Sequence, residues 1–303
     1  MWHPKRTIEI VAGTPPGGGL DRTARALALA LDAKHLVDVP IHVTNLTGDG
    51  SRKVWPYMDD HARDPHVLAI SSPNVTTDNL TGLTAFDHAA YTPLAILHNE
   101  YIAFVVHGES PLQTASALLE RLGGNTTDPI KVALATSLGN PNHIALAQVN
   151  RHAGGESRRL KVRAFDSARY AVADIIAGSS ELGVISAASA VPELTSGILR
   201  ALAVSAPERL PAIYQHTPTW VEQGVGCLVG AWRGVNGAAG LDKQQIGYWD
   251  TVLAAAVATD EWSAATARNY WSPMHVDSTR LPDYLRHERA QMQAVLSDLG
   301  LIQ

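Results

Sequence analysis

The feature that narrows the fold most is an alternation. Three short apolar runs, at residues 8–12, 39–45 and 66–70, each lead through a turn. After the first, Ala24, Leu27, Ala28 and Leu31 repeat at helical spacing; after the second, a helix is predicted through Trp55, Tyr57 and Met58. The β-α-β-α-β order calls for a parallel sheet with helices on both faces. Ligands of such sheets bind beyond the carboxyl ends of the strands. Three loops share that edge: residues 13–21, 45–51 and 71–77.

The first of these loops contains Pro15-Pro16-Gly17-Gly18-Gly19-Leu20-Asp21. Three glycines at a strand-to-helix turn leave backbone N–H groups uncovered, and the following helix adds a partial positive charge. The loop suits a carboxylate or phosphate. A tight connection using glycine for its backbone freedom is the other reading.

A second domain is expected to repeat the design. Two apolar runs, 94–97 and 101–106, are split by His98-Asn99-Glu100 and lead into it. Strands are predicted at 130–135, 160–165, 182–185 and 199–204. Polar turns follow the first three: Thr136-Ser137, Asp166-Ser167 as a helix-start signal, and Ser186 with Ser189. An extended run at 227–235 returns the chain, and helices are predicted at 241–258, 260–270 and 279–298, with a short strand at His275-Val276. The expected domains are 1–102 with 232–303, and 103–231, joined by crossovers near 101–106 and 227–235. The fold class is α/β: two lobes closing like a clamshell over a cleft between strand-end loops.

With 303 residues, 46% hydrophobic and 17% charged, the chain can build large cores. Its net charge of −5 and the lack of a basic patch argue against nucleic acid; Arg158-Arg159 reads as a solvated face. No apolar run approaches the ~20 residues of a membrane span. Met1-Trp2-His3-Pro4-Lys5 leads straight into the first strand, so the chain is expected to be cytosolic or an exported product trimmed of its leader. The single Cys227 cannot form an internal disulfide and reads as a small buried apolar residue.

Gly-x-Ser-x-Gly, the Walker ending Gly-Lys-Ser/Thr and the Rossmann glycine spacing are all missing, and the 13 histidines show no metal-binding spacing. No catalytic residue, metal or cofactor is expected. What the strand ends do offer is neutral hydrogen-bond donors. Each alone is explained by capping its own helix. Together they suit a site that binds a small polar ligand without reacting with it.

Pro16-Gly17-Gly18-Gly19-Leu20-Asp21 with Ala24-Arg25 resembles the Pro-x-Gly-Gly-Gly-x-Asp-x-x-Ala-Arg pattern of the receptors of the tripartite tricarboxylate transporter system, the Bug family. The run 197–204, the turn Pro218-Thr219 to Gly224, and Thr136-Ser137 to His143 are similar to further motifs of that family. The resemblance implies a type II periplasmic-binding (Venus flytrap) fold, a carboxylate ligand and no catalysis. It implies a periplasmic protein whose signal peptide is removed, with membrane permease subunits as partners; a monomer is expected. Carried over, the first-lobe ligand residues are Pro16, Gly17, Gly18, Gly19, Asp21, Ser71, Ser72 and Asn74, and the second-lobe residues Thr136, Ser137, Asp166, Ser167 and Ser186.

This chain also departs from the pattern. Gly48-Asp49-Gly50-Ser51-Arg52 replaces Gly-Ala-Gly-Gly-Asn, and Arg22 stands where a small apolar residue is usual. Asp166-Ser167-Ala168 replaces Lys-Gly-Gly, and Val184-Ile185 replaces Phe-Asp. Facing the cleft, Asp166 would repel a dicarboxylate by a few kcal/mol or attract an amine. The alternative is that it caps its helix. The leading function is a solute receptor for a small organic acid. A ligand-sensing accessory of a membrane histidine kinase and an α/β enzyme are the other readings.

Overall fold

The computed structural model describes residues 2–124, 128–156, 160–298 and 300–302. Arg158-Arg159 lies outside them. The chain divides into two compact units, Met1–Asn99 with Trp232–Ala294, and Glu100–Ala231 with Val295–Gln303.

Unit 1 is built on a parallel trio. Strand β1 (Ile8–Ala12) lies between β2 (Ile41–Asn45) and β3 (Val67–Ser71), with Ile8 opposite Ile41 and Ile10 opposite Leu68. Alternate residues of β1 serve two cores, as a strand covered on both faces requires. Ile8, Ile10 and Ala12 join the layer of α1 (Gly19–Ala33), which also holds Trp249 and Trp262. Val11 joins Trp55 and Met58 of α2 (Val54–Asp60). Of the positions marked by the helical period, α1 buries Ala24, Leu27 and Leu31, whereas Ala28 is only partly buried; Leu20 is buried as well. Helix α3 (Asn74–Leu80) opens directly after β3.

Strand β4 (Thr92–His107) is continuous, although the sequence suggests a break at His98-Asn99-Glu100. His98 is fully buried: its Nε2 lies 3.0 Å from Thr23 Oγ1, and its ring stacks on Trp271 at 3.8 Å. A polar residue that finds partners in the core does not interrupt a strand.

Unit 2 repeats the parallel trio. Strand β5 (Ile130–Ala135) lies between β6 (Leu160–Phe165) and β7 (Leu182–Ser186). The second half of β4 runs antiparallel to β7 and to β8 (Leu199–Val204). Phe104, Leu134, Val184, Trp220 and Cys227 share its core; burial pushes the Cys227 thiol up to about 12. Helices α4 (Ala115–Gly123), α5 (Pro141–His152), α6 (Ala168–Ile176) and α7 (Ala187–Thr195) complete the layers; α5, α6 and α7 each follow one strand of the trio.

The return run contains β9 (Gly230–Gly237), antiparallel to β3. Then come α8 (Lys243–Val257), α9 (Asp260–Arg268), β10 (Ser272–Asp277), antiparallel to the first half of β4, and α10 (Leu281–Asp298). Among the described residues no helix is long and apolar enough to cross a membrane.

Candidate functional site

In unit 1 the glycine loop is organised from within by Asp21. Its carboxylate is 1% exposed and accepts from Gly17 N–H at 2.7 Å, Asn45 Nδ2 at 2.8 Å and Arg25 Nε at 3.0 Å. Burial pushes this carboxyl up, but the bonds from Arg25, Asn45 and Gly17 outweigh it and hold it below the usual range. Thr14 Oγ1 accepts the Asp21 N–H, and Gly18 N–H turns back to the Pro15 carbonyl at 2.8 Å. From outside, Arg22 Nη1 donates to the Gly17 carbonyl at 2.8 Å.

This bonding changes the roles within the loop. The Gly17 and Gly18 amides close the loop on itself, so as amide donors they are not available to a ligand. Gly17 has φ +83°, and a Cβ on Gly18 would lie 2.5 Å from Thr14 Cβ, so both positions require glycine for the turn itself. The Gly19 and Leu20 amides, the first two of α1, have no partner among the described residues. Pro16 and Gly17 lie exposed at the tip.

Behind β2 the backbone is strained. Gly48, Asp49, Gly50 and Ser51 take φ values of 106°, 50°, 60° and 81° in succession. Two of these are not glycine, which costs of order 1–3 kcal/mol each. Ser51 Cβ sits 2.5 Å from where a Cβ on Gly13 would lie, which keeps Gly13 bare. The Ser51 hydroxyl oxygen is buried, with no partner among the described residues.

At the end of β3, Ser71 Oγ donates to Asn236 Oδ1 at 3.3 Å, and Ser72 Oγ accepts the Asn74 N–H at 3.4 Å. Asn236 also meets the buried His88, which burial pushes down to about 4, so this ring is neutral at pH 7. The loops border a shallow recess, open to solvent, whose enclosed space is about 10 Å³. Its apolar wall is Leu20, Val54, Trp55, Ile70 and Val75; Ser51, Arg52, Ser71, Ser72, Asn74 and Asp78 supply the polar groups. Arg52 Nη1 lies 3.5 Å from Oδ2 of the buried Asp78.

In unit 2, Thr136 takes φ +68° and donates its N–H to the Phe165 carbonyl at 2.6 Å. Asn140 caps α5 through the His143 N–H and donates Nδ2 to Thr136 Oγ1 at 2.7 Å. Ser137 is buried beside them. His143 Nδ1 accepts the Gly139 N–H at 2.9 Å, which places the ring proton on Nε2. Burial pushes His143 down to about 4, so it is a neutral donor.

Ser167 and Ser186 occupy the N-cap positions of α6 and α7, yet neither side chain makes a capping bond. Ser167 Oγ is buried without a partner among the described residues, and Ser186 Oγ pairs with Ser189 Oγ at 2.8 Å. Capping therefore explains Asn140 but not these two serines. Asp166 is exposed and precedes the cap, so the reading in which Asp166 itself is the N-cap of α6 is corrected: Ser167 holds that position.

Sequence reasoning missed Asn45 as a partner of Asp21, the Arg52–Asp78 pair and the His143 donor. Two signals were available. Asn45 ends β2 opposite Ala12 at the base of the glycine loop. Asp78 follows Asn74 by one helical turn and shares its face. Among the described residues no three His, Cys, Asp or Glu side chains are grouped to hold a metal.

Two α/β units, each with a parallel trio, helix N-termini and neutral donors at the carboxyl edge, make the two-lobe fold of the periplasmic binding proteins. The family model described as tripartite tricarboxylate transporter family receptor matches residues 24–301, and the chain belongs to that family. The Pro16–Asp21 loop precedes the matched stretch. BugT of Bordetella pertussis is 25% identical over 255 residues, 80% of this chain and 74% of that one. Among solved structures, MatC from Rhodopseudomonas palustris with bound malate superposes with a TM-score of 0.84 at 21% identity, covering 97% of this chain and 99% of that one. An R. palustris protein with adipate gives 0.88 at 20% identity over 98% of each chain. At that identity the likeness establishes the fold. Family and fold are those of solute-binding receptors.

Proposed function

We propose that this chain is a periplasmic receptor that captures a small organic acid, with or without an amine, and delivers it to the membrane subunits of a tripartite tricarboxylate transporter. One observation carries the reading: adjacent amides of Gly19 and Leu20 stand without partners at the start of a 15-residue helix, on a loop that Asp21 holds in place. Two such amides match the two oxygens of a carboxylate, and the helix end favours its charge. Because the loop is already ordered, binding costs little conformational entropy.

The other contacts proposed are Pro16, Ser71, Ser72 and Asn74 in unit 1, and Thr136, Ser137, Ser167 and Ser186 in unit 2. Asp21 acts as a positioning residue. The exposed Asp166 is the group that would meet an amine. Malate and adipate in the related structures support a carboxylate ligand, and the family supports the transporter as recipient.

Gly19→Pro tests the reading. It deletes one amide at the first helical position, where proline is tolerated, and Gly18 already has the extended conformation (φ −71°, ψ 166°) that a following proline requires. Titration calorimetry with malate and adipate is expected to show binding by the wild type and a loss of about tenfold or more in the variant, with melting unchanged. Absence of binding by the wild type, or equal affinity in the variant, would contradict the assignment.

A further inference from the structure

We propose that Arg52 is the specificity-determining cation of the unit 1 recess, taking the second carboxylate of a bound dicarboxylate, with Asp78 as its positioning residue. This rests on the receptor reading above and assigns the ligand class of that site.

The recess has an unusual mixture for a site otherwise furnished with neutral donors. Its wall is apolar, but its enclosed space is only about 10 Å³, room for roughly one water, so a diacid would lie across its open mouth rather than inside it. Arg52 is the cation that lines it. A guanidinium carries five N–H donors. The Arg52 guanidinium meets Asp78 through Nη1, at 3.5 Å, and among the described residues this is its one hydrogen bond or ion pair. The two side chains differ sharply in exposure: 26% for Arg52 and 3% for Asp78. The cation is therefore the outer member of the pair and the carboxylate the inner. An incoming anion meets the guanidinium first, with the Asp78 charge farther away, so attraction outweighs repulsion.

The backbone that delivers Arg52 supports the same conclusion. Four successive positive φ values end at Ser51, the residue before Arg52, and Ser51 brings its unpartnered buried hydroxyl to the same recess. Strain of this kind persists where the surroundings over-determine the conformation, commonly at ligand sites. Leu20, whose amide is proposed to hold the first carboxylate, is among the residues that line the recess.

A structural ion pair is the competing account, and matched ligands separate the two. The full chain and its Arg52→Gln and Arg52→Lys variants are titrated calorimetrically with adipate against hexanoate, and with malate against 2-hydroxybutyrate. Each pair shares its carbon count and differs by one carboxylate. The expected result for Arg52→Gln is a loss of about ten- to a hundredfold in diacid affinity, the range of one charge-assisted bond, with monoacid affinity unchanged. Arg52→Lys keeps the charge and is expected to retain most of the diacid preference. Unchanged diacid binding in Arg52→Gln, or an equal loss for both members of a pair, overturns the assignment of Arg52 and leaves the receptor reading standing. Failure of the wild type to bind any of the four acids overturns both.

Discussion

Removing the Asp21 carboxylate isolates the device that shapes the ligand loop. Asp21→Ala deletes an acceptor of three bonds, two of them at 2.8 Å or less. A bond to a charged group is worth about 1.5–3 kcal/mol, and three on one carboxylate do not add. The donors left behind decide the total. The Arg25 side chain is 53% exposed and Gly17 lies at the surface, so both return to water. Asn45 keeps its second bond, to the Thr14 carbonyl at 2.8 Å. No charge is stranded in the core, so the cost, about 2–4 kcal/mol, lies toward the lower end of the roughly 3–5 kcal/mol typical of a broken buried pair. Asp21→Asn keeps the shape but turns a donor toward donors, at about 1.5–3 kcal/mol.

Urea unfolding followed by Trp fluorescence is the suitable assay. Six of the seven tryptophans, Trp2, Trp55, Trp232, Trp249, Trp262 and Trp271, belong to unit 1. At a slope of about 2–3 kcal/mol per molar, the Asp21→Ala midpoint is expected to fall by roughly 1 M. The folded Asp21 carboxyl is held below its usual value, so its stabilisation is complete above the unfolded pKa of about 3.9 and fades as pH falls through the folded value. The gap between wild type and Asp21→Asn is therefore expected to narrow in acid. A midpoint within about 0.2 M of wild type, or a gap that does not change with pH, would refute the role given to Asp21.

Two further outcomes are expected. Ser51→Gly relieves a positive-φ strain of about 1–3 kcal/mol at the entropic cost of about 0.4–1 kcal/mol that glycine carries, so the urea midpoint should hold or rise; adipate affinity should fall, and a clear loss of stability would contradict the strain. Glu288 accepts from Trp232 Nε1 at 2.6 Å, and burial pushes its carboxyl up to about 7. Between the unfolded value and 7 the folded state holds the extra proton, so wild-type stability should decline as pH rises through that window. Glu288→Gln should flatten the decline, which melting curves from about pH 5 to about pH 8 would check.

Much of the fold was legible because the signals are periodic and local. Ile8, Ile10 and Val11 alternate between two cores, and Ala24, Leu27, Ala28 and Leu31 mark one face of α1, so the parallel trio and its carboxyl edge follow from spacing alone. The break read at His98-Asn99-Glu100 failed because polarity stood in for exposure. The partners that bury His98 are Thr23, 75 positions away, and Trp271.

The sequence by itself determined the α/β alternation, the loops that border the sheet edge and the family pattern. Only the tertiary structure decided which donors on those loops are available. Gly17 and Gly18 close their own turn, whereas Gly19 and Leu20 stand open. Ser71 is held by Asn236, 165 positions on, and Ser167 is left uncapped. Hydrophobic period is a property of neighbours along the chain. A hydrogen-bond partner is a property of neighbours in space, and no spacing rule supplies it.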